Sequence, residues 1–143
     1  MDPAEEMPRW PTKIAVLLRE DLPPWQSLNV TAFLVSGITA TGPELVGEPY
    51  ADADGTGYLP MIRQPVLVLA GPGELLRTAR TRALERSLTP AVFTAELFST
   101  PGDVQNRAAV RAVAGADLDL VGLAVHGPKN AVDKVVKGAR MHP

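Results

Sequence analysis

The stretch that decides the fold is Asp117 to Gly138, DLDLVGLAVHGPKNAVDKVVKG. An apolar run, Leu118, Leu120, Val121, Leu123, Ala124 and Val125, stops at the turn pair Gly127-Pro128. Beyond it the period changes to 3.6, placing Val132, Val135, Val136 and Ala139 on one side. A short buried strand feeding an amphipathic helix is half of an α/β layer.

Working outward, the other half recurs along the chain. Lys13 to Leu18 (KIAVLL), Pro65 to Ala70 (PVLVLA) and Pro90 to Thr94 (PAVFT) are apolar runs of strand length. Trp25 to Thr39 is almost continuously apolar with helical content. Leu28, Ala32, Val35 and Ile38 share one side, and Val30, Phe33 and Leu34 cover the other. A helix apolar all round is expected to be buried on most sides, between the sheet and a partner surface or second layer. Glu74 to Ser87 reads as a helix with Leu75, Leu76, Ala79, Ala83 and Leu84 inward. Pro101 to Ala112 reads as another, with Ser99 or Thr100 as its cap and Asp103 in its first turn. Thr41 to Gln64 is irregular, with short strands expected around 44–47 and 57–61, and loops of this length are commonly functional or mobile. Strands alternating with helices predict an α/β fold: a single domain over 12–143 with a mostly parallel sheet, preceded by an irregular, Pro-rich arm over 1–11. Trp10 is placed to pin that arm.

Composition narrows the chemistry. At 143 residues the chain fits one domain that buries about 68–70% of its unfolded surface. Its 45% hydrophobic and 21% charged residues are globular proportions. The net charge of −2 gives no global positive field for nucleic acid. The absence of cysteine excludes disulfides, a thiol nucleophile and cysteine-based metal sites. The acidic, Pro-rich start does not have the order of a secretory signal, and no apolar run reaches the roughly 18–20 residues of a membrane helix. The expectation is a cytoplasmic protein that uses neither membrane, metal nor cofactor.

Two segments resemble peptidyl-tRNA hydrolase II. One is Lys13 to Arg19 with Asp21-Leu22 and the small-residue-rich helix after it. The other is Val121-Gly122-Leu123-Ala124-Val125, Gly127-Pro128 and Val132-Asp133-Lys134-Val135. A closer resemblance is to the uncharacterised bacterial family called domain of unknown function 2000. It is carried by Trp25 to Val30, Ala32-Phe33-Leu34, Gly47-Glu48-Pro49-Tyr50, Asp52-Ala53-Asp54-Gly55 and Tyr58-Leu59-Pro60-Met61. Together they imply a small mixed sheet of about four strands between helices, on the hydrolase scaffold. The hydrolase pattern has a Gly-Lys pair where the first helix begins; here that place reads Gln26 to Thr31, without lysine. The hydrolase's Asp after the penultimate strand has no counterpart in Thr94 to Thr100. The cation that a developing oxyanion or a tRNA phosphate would use is therefore missing.

Candidate site residues cluster where β1 hands over to the first helix, the edge at which open α/β sheets hold ligands. Asp21, Gln26 and Asn29 are candidates for polar catalytic roles. Arg19, Trp25 and Thr31 are candidate substrate contacts, joined by Tyr50 and Tyr58 from the irregular segment. His126, at the end of the closing strand, is the candidate acid or base. Each also has a structural reading: Asp21 as a helix cap, Trp25 as packing, Asn29 bonded to backbone, His126 as a strand-end residue. Asp52-Ala53-Asp54-Gly55 lacks the alternate ligands, sixth-position Gly and twelfth-position Glu of a calcium loop, so it reads as a turn. Gly71-Pro72-Gly73 has Leu76 where a dinucleotide fingerprint needs its third glycine. Arg77, Arg80, Arg82 and Arg86 form the one basic patch, a solvated face or a tRNA contact. Asp133 and Lys137 are spaced for an i,i+4 pair, and Asp133 could equally tie the helix to a neighbour.

Two functional readings follow. One is a hydrolase-like enzyme acting on a small acyl or amide conjugate. The other is a non-catalytic module, dimeric as a homodimer, that uses its apolar first helix and the 41–64 segment to bind a ligand or partner.

Overall fold

In the computed structural model, residues 9–143 are described. The N-terminal arm's first eight residues lie outside that range. Five strands form one mixed sheet: β1 (Thr12–Arg19), β4 (Val66–Gly71), β5 (Ala91–Thr94), β6 (Leu120–Pro128) and β7 (Arg140–Met141), in the order β5-β6-β1-β4-β7. Two further strands, β2 (Tyr50–Ala51) and β3 (Gly57–Tyr58), make a separate hairpin. The helices are α1 (Pro24–Thr41), α2 (Gly73–Glu85), α3 (Asp103–Arg111) and α4 (Lys129–Val135).

The small mixed sheet expected from the sequence is found, with five strands where about four were expected, and its mostly parallel character is corrected. Only β1 and β4 are parallel; β6 runs antiparallel to both β1 and β5, and β7 antiparallel to β4. The apolar runs could not show this. A strand covered on both faces reads as a continuous apolar run whichever way its neighbours point. β1 is such a strand: Ile14, Ala15, Val16, Leu17 and Leu18 are all buried. Its alternation sends Ile14, Val16 and Leu18 to one core, and Ala15 and Leu17 to the other.

The second of these cores is shared with α2 and α4, through Leu76, Ala79, Ala83, Val132 and Val135. The first is shared with α1, through Val30, Leu34 and Ile38, and with Leu45 of the short turn that follows it. Gly122 in β6 makes that contact close: a Cβ there would sit 2.4 Å from Val30 Cγ1. α1 opens on Pro24 with no side-chain cap, so Asp21 does not cap it.

The expectation for α1 itself is corrected too. Ser27, Val30, Leu34 and Ile38 face the sheet, whereas Leu28 is 73% exposed and Ala32 is also outside. With apolar residues all round and no charge among its 18 residues, nothing in the sequence distinguishes the inner side from the outer. Among the described residues, no helix is long and apolar enough to cross a membrane.

Smaller differences have local causes. α3 begins after Gly102 with no side-chain cap, because Thr100 is hydrogen-bonded to Asn106 instead. Asp133 on α4 pairs with Lys13 of β1, rather than with Lys137. Leu84 of α2 is turned to solvent.

Candidate functional site

The sheet's β5 side carries a groove that no second helix closes. Its floor and walls are aromatic. The Trp25 and Phe98 rings meet edge to face with centroids 5.8 Å apart, Phe98 and Phe93 lie 5.0 Å apart, and Phe93 and Phe33 lie 5.9 Å apart. α1 supplies Trp25 and Phe33, one turn pair apart on its outer flank. β5 supplies Phe93, and the 3-10 turn Ala95–Ser99 supplies Phe98. Trp25 and Phe33 remain 61% and 54% exposed, although each has an aromatic neighbour.

Two hollows share this wall. One, of about 370 Å³, runs from Trp25 and Asn29 to Thr100, Asp103 and Asn106. The other, of about 610 Å³, continues along Ala91, Val92 and Phe93 between α1 and α3, where Arg107 and Val110 line it. Phe33, Phe93, Leu97, Asp103 and Asn106 belong to both, so they form one groove. Its polar groups are gathered on the α3 side. The Thr100 hydroxyl meets the Asn106 amide, and Arg107 Nε donates to Asp103 Oδ2 at 3.0 Å. Asn29 faces them from α1. Amides and a hydroxyl both donate and accept, and the guanidinium only donates, a set suited to an amide or carboxylate beside an apolar body. Among the described residues, the groove lining contains no histidine, cysteine or lysine.

The residues singled out from the sequence are dispersed by the fold. Trp25 and Asn29 line the groove, and Asn29 is exposed rather than sealed in the helix. Thr31 donates its hydroxyl to the Ser27 carbonyl at 2.7 Å, and so is satisfied within α1. Gln26 is half-buried beside them and does not line the groove. Arg19 and Asp21 form a different cluster. Arg19 Nε donates to Asp21 Oδ1 at 2.6 Å and Nη1 donates to Asp119 Oδ1 at 3.2 Å, tying the end of β1 to the approach to β6. His126 pairs across from Ile14, so it lies five residues, about 16 Å, back along β1 from Arg19. Its Nε2 is buried and has no hydrogen-bond partner among the described residues.

Tyr50 and Tyr58 face each other across the β2–β3 hairpin. Tyr58 donates its hydroxyl to Asp52 Oδ2 at 2.6 Å, while Asp52 Oδ1 accepts the backbone N–H groups of Asp54 and Thr56. The Tyr58 hydroxyl, then the Thr56 N–H, hold the Asp52 carboxyl below its ordinary range, and Asp52 in turn raises the Tyr58 hydroxyl. With its oxygens used this way and Gly55 at φ +84°, Asp52–Gly55 is a turn. Of the α2 arginines, Arg82 donates to the Lys137 carbonyl at 2.8 Å and Arg86 to the Arg82 carbonyl at 3.0 Å.

Sequence reasoning missed Phe93, Phe98, Asn106 and Arg107. Phe93 was legible only as a strand residue, and Phe98 as part of a loop. A signal was present in the aromatic residues themselves: Phe33, Phe93 and Phe98 are all the phenylalanines of the chain.

The comparisons with known proteins agree with this fold. A solved structure of a protein of unknown function from Agrobacterium tumefaciens is 44% identical and superposes with a TM-score of 0.92, covering 94% of this chain and all of that one. No curated protein matches the chain. Residues 12–143, from the first residue of β1 onward, match the family described as Protein of unknown function (DUF2000). The chain belongs to that family.

Proposed function

We propose that this is a small-molecule-binding domain. Its ligand lies in the aromatic groove, with an acyl or aryl portion against Trp25, Phe33, Phe93 and Phe98 and an amide or carboxylate toward Asn29, Asn106 and Arg107. One observation carries the reading: a continuous groove in which half-exposed aromatic rings meet hydrogen-bonding side chains of both polarities. Isolated apolar side chains on a surface are ordinary, but rings lining one hollow with polar groups converging at its side are the pattern of a ligand site. Catalysis of the hydrolase type has less support. The lysine of the resembled pattern is absent, the groove holds no paired nucleophile and base, and His126 stands at the other end of β1. A tRNA contact through α2 has less still, since Arg82 and Arg86 are engaged with backbone carbonyls.

The test is a thermal-shift and NMR titration with N-acetyl-phenylalanine, N-acetyl-leucine and their amides. Binding is expected to raise Tm in proportion to ligand over Kd. Asn106→Ala and Phe33→Ala are each expected to weaken it about tenfold, or roughly 1.4 kcal/mol. Absence of any shift at millimolar ligand, or binding that neither variant weakens, would refute the reading.

A second copy of the chain is the partner that best matches the outer side of α1, an uncharged helix with Leu28 and Ala32 facing solvent. Sedimentation is expected to give a dimer that Leu28→Glu dissociates; a monomer at all concentrations would remove this part of the proposal.

A further inference from the structure

A second cavity lies at the opposite end of the sheet from the aromatic groove, and its chemistry is different. It has a volume of about 600 Å³ and sits where β1 and β4 begin and β6 passes into α4. Trp10, Pro65 and Leu67 give it apolar walls; Arg9, Lys13 and Lys129 give it three cations; among the described residues no carboxylate lines it. In a chain of net charge −2 this is a local reversal of sign. The nearby Asp133 holds Lys13, and Arg63 adds a further cation by lying over the Trp10 ring, 5.4 Å from its centroid. Among the described residues, four cations therefore stand beside one carboxylate.

The polar part of the lining is already in place. Gln64 is buried, and its Nε2 donates to the Thr12 carbonyl at 3.1 Å and to Thr12 Oγ1 at 3.3 Å. That amide fixes the start of β4 to the start of β1, so the lining does not need to assemble around a ligand. The guanidinium of Arg63 orients the indole in the same way. A positive potential focused in a cleft with low-dielectric walls concentrates anions. A bare inorganic anion would leave Trp10, Pro65 and Leu67 unused, and a neutral apolar molecule would leave the cations unused.

We infer that this cavity binds a small organic anion: a carboxylate at Lys13 and Lys129 on an apolar body that packs against Trp10, Pro65 and Leu67. The site is independent of the aromatic groove and of the function proposed for it.

Sodium decanoate titrated into the full chain, followed by amide ¹H–¹⁵N spectra, tests it, with decanol and inorganic phosphate as controls. Saturable shifts are expected at Thr12, Lys13, Gln64 and Leu67. Decanol and phosphate should each bind at least about tenfold more weakly, and Lys129→Gln should weaken decanoate about fivefold. Added salt should weaken it further. The inference is overturned if decanoate shifts only Asn29, Phe93 and Asn106, which would assign it to the groove. It is equally overturned if decanol or phosphate binds as tightly as decanoate, if Lys129→Gln changes nothing, or if no resonance saturates. Failure here leaves the groove resonances, and the reading built on them, untouched.

Discussion

One face of the sheet is roofed by two helices, α2 and α4, and the apolar side chains between them are lost from solvent. The other has one α-helix across it, α1, beside short turns, and there Trp25, Leu28 and Phe33 stay more than half exposed. The strands are common to both, since each turns alternate side chains to either side. The difference is in what covers them. A face with two helices across it has most of its apolar residues satisfied by one another, and what stays open lies at its end, where β1 and β4 begin. A face with one helix leaves a strip along β5 where aromatic rings have walls but no lid. α3 borders that strip without closing it, and none of its residues is buried. Apolar surface left open in this way is what a ligand or a second subunit can use.

Substitutions can break or sharpen the contrast. Leu76→Ala, on the closed face and fully buried, is expected to cost about 2–5 kcal/mol in urea denaturation, because the packed surroundings collapse only partly into the space. Gly122→Ala comes next. Its new Cβ would meet Val30 under α1, and a loss of about 1–3 kcal/mol is expected from the forced repacking. On the open side, Phe33→Ala should cost about 1 kcal/mol or less, the worth of an aromatic contact that is half in water, while removing ligand binding. Leu28→Ser should change stability by less than about 0.5 kcal/mol at concentrations where the chain is monomeric. A Leu28→Ser loss as large as that of Leu76→Ala would show that both faces are equally covered, and the contrast would fall.

The smallest effect is expected in the β2–β3 hairpin. The Asp52 pKa is depressed, so its contribution is present above the unfolded value near 3.8 and is lost as pH falls through the folded one. The Tyr58 pKa is raised, so its contribution is present below 10.0 and is lost as pH rises through the folded one. Hairpin amide shifts should therefore be flat between these limits and move at both ends. In Tyr58→Phe the alkaline change should vanish and the acid change should begin at higher pH. A titration identical to that of the parent would show that the Tyr58–Asp52 bond does not hold the hairpin.

The strands β1, β4, β5 and β6 and the helices could be read because each is a continuous apolar run or a 3.6 period. Their mutual directions could not. Direction depends on which strands lie side by side, and Thr12 finds Pro128 across more than a hundred residues. β7 escaped notice because Arg140 and Met141 are two exposed residues with no alternation to reveal. The site was half legible. Trp25 and Asn29 stand together in one helix and could be placed by spacing. Phe93, Phe98 and Asn106 come from three different elements, and only the turn after β5 brings them to the same hollow. His126 looked available because a strand end usually is; the register against Ile14 placed it at the far end of β1 instead.

The position of β6 has a consequence for how the chain reaches this structure. β6 is the only strand bonded to both β1 and β5, yet it begins at residue 120. As the chain leaves the ribosome, β1 and β4 can pair early, but one edge of β1 stays open and β5 has no neighbour in the sheet until β6 arrives. Contacts this distant in sequence slow the search for the folded state. Until β6 has emerged, then, the chain carries an unfilled slot beside its most apolar strand, where the edges exposed during folding are the ones that aggregate.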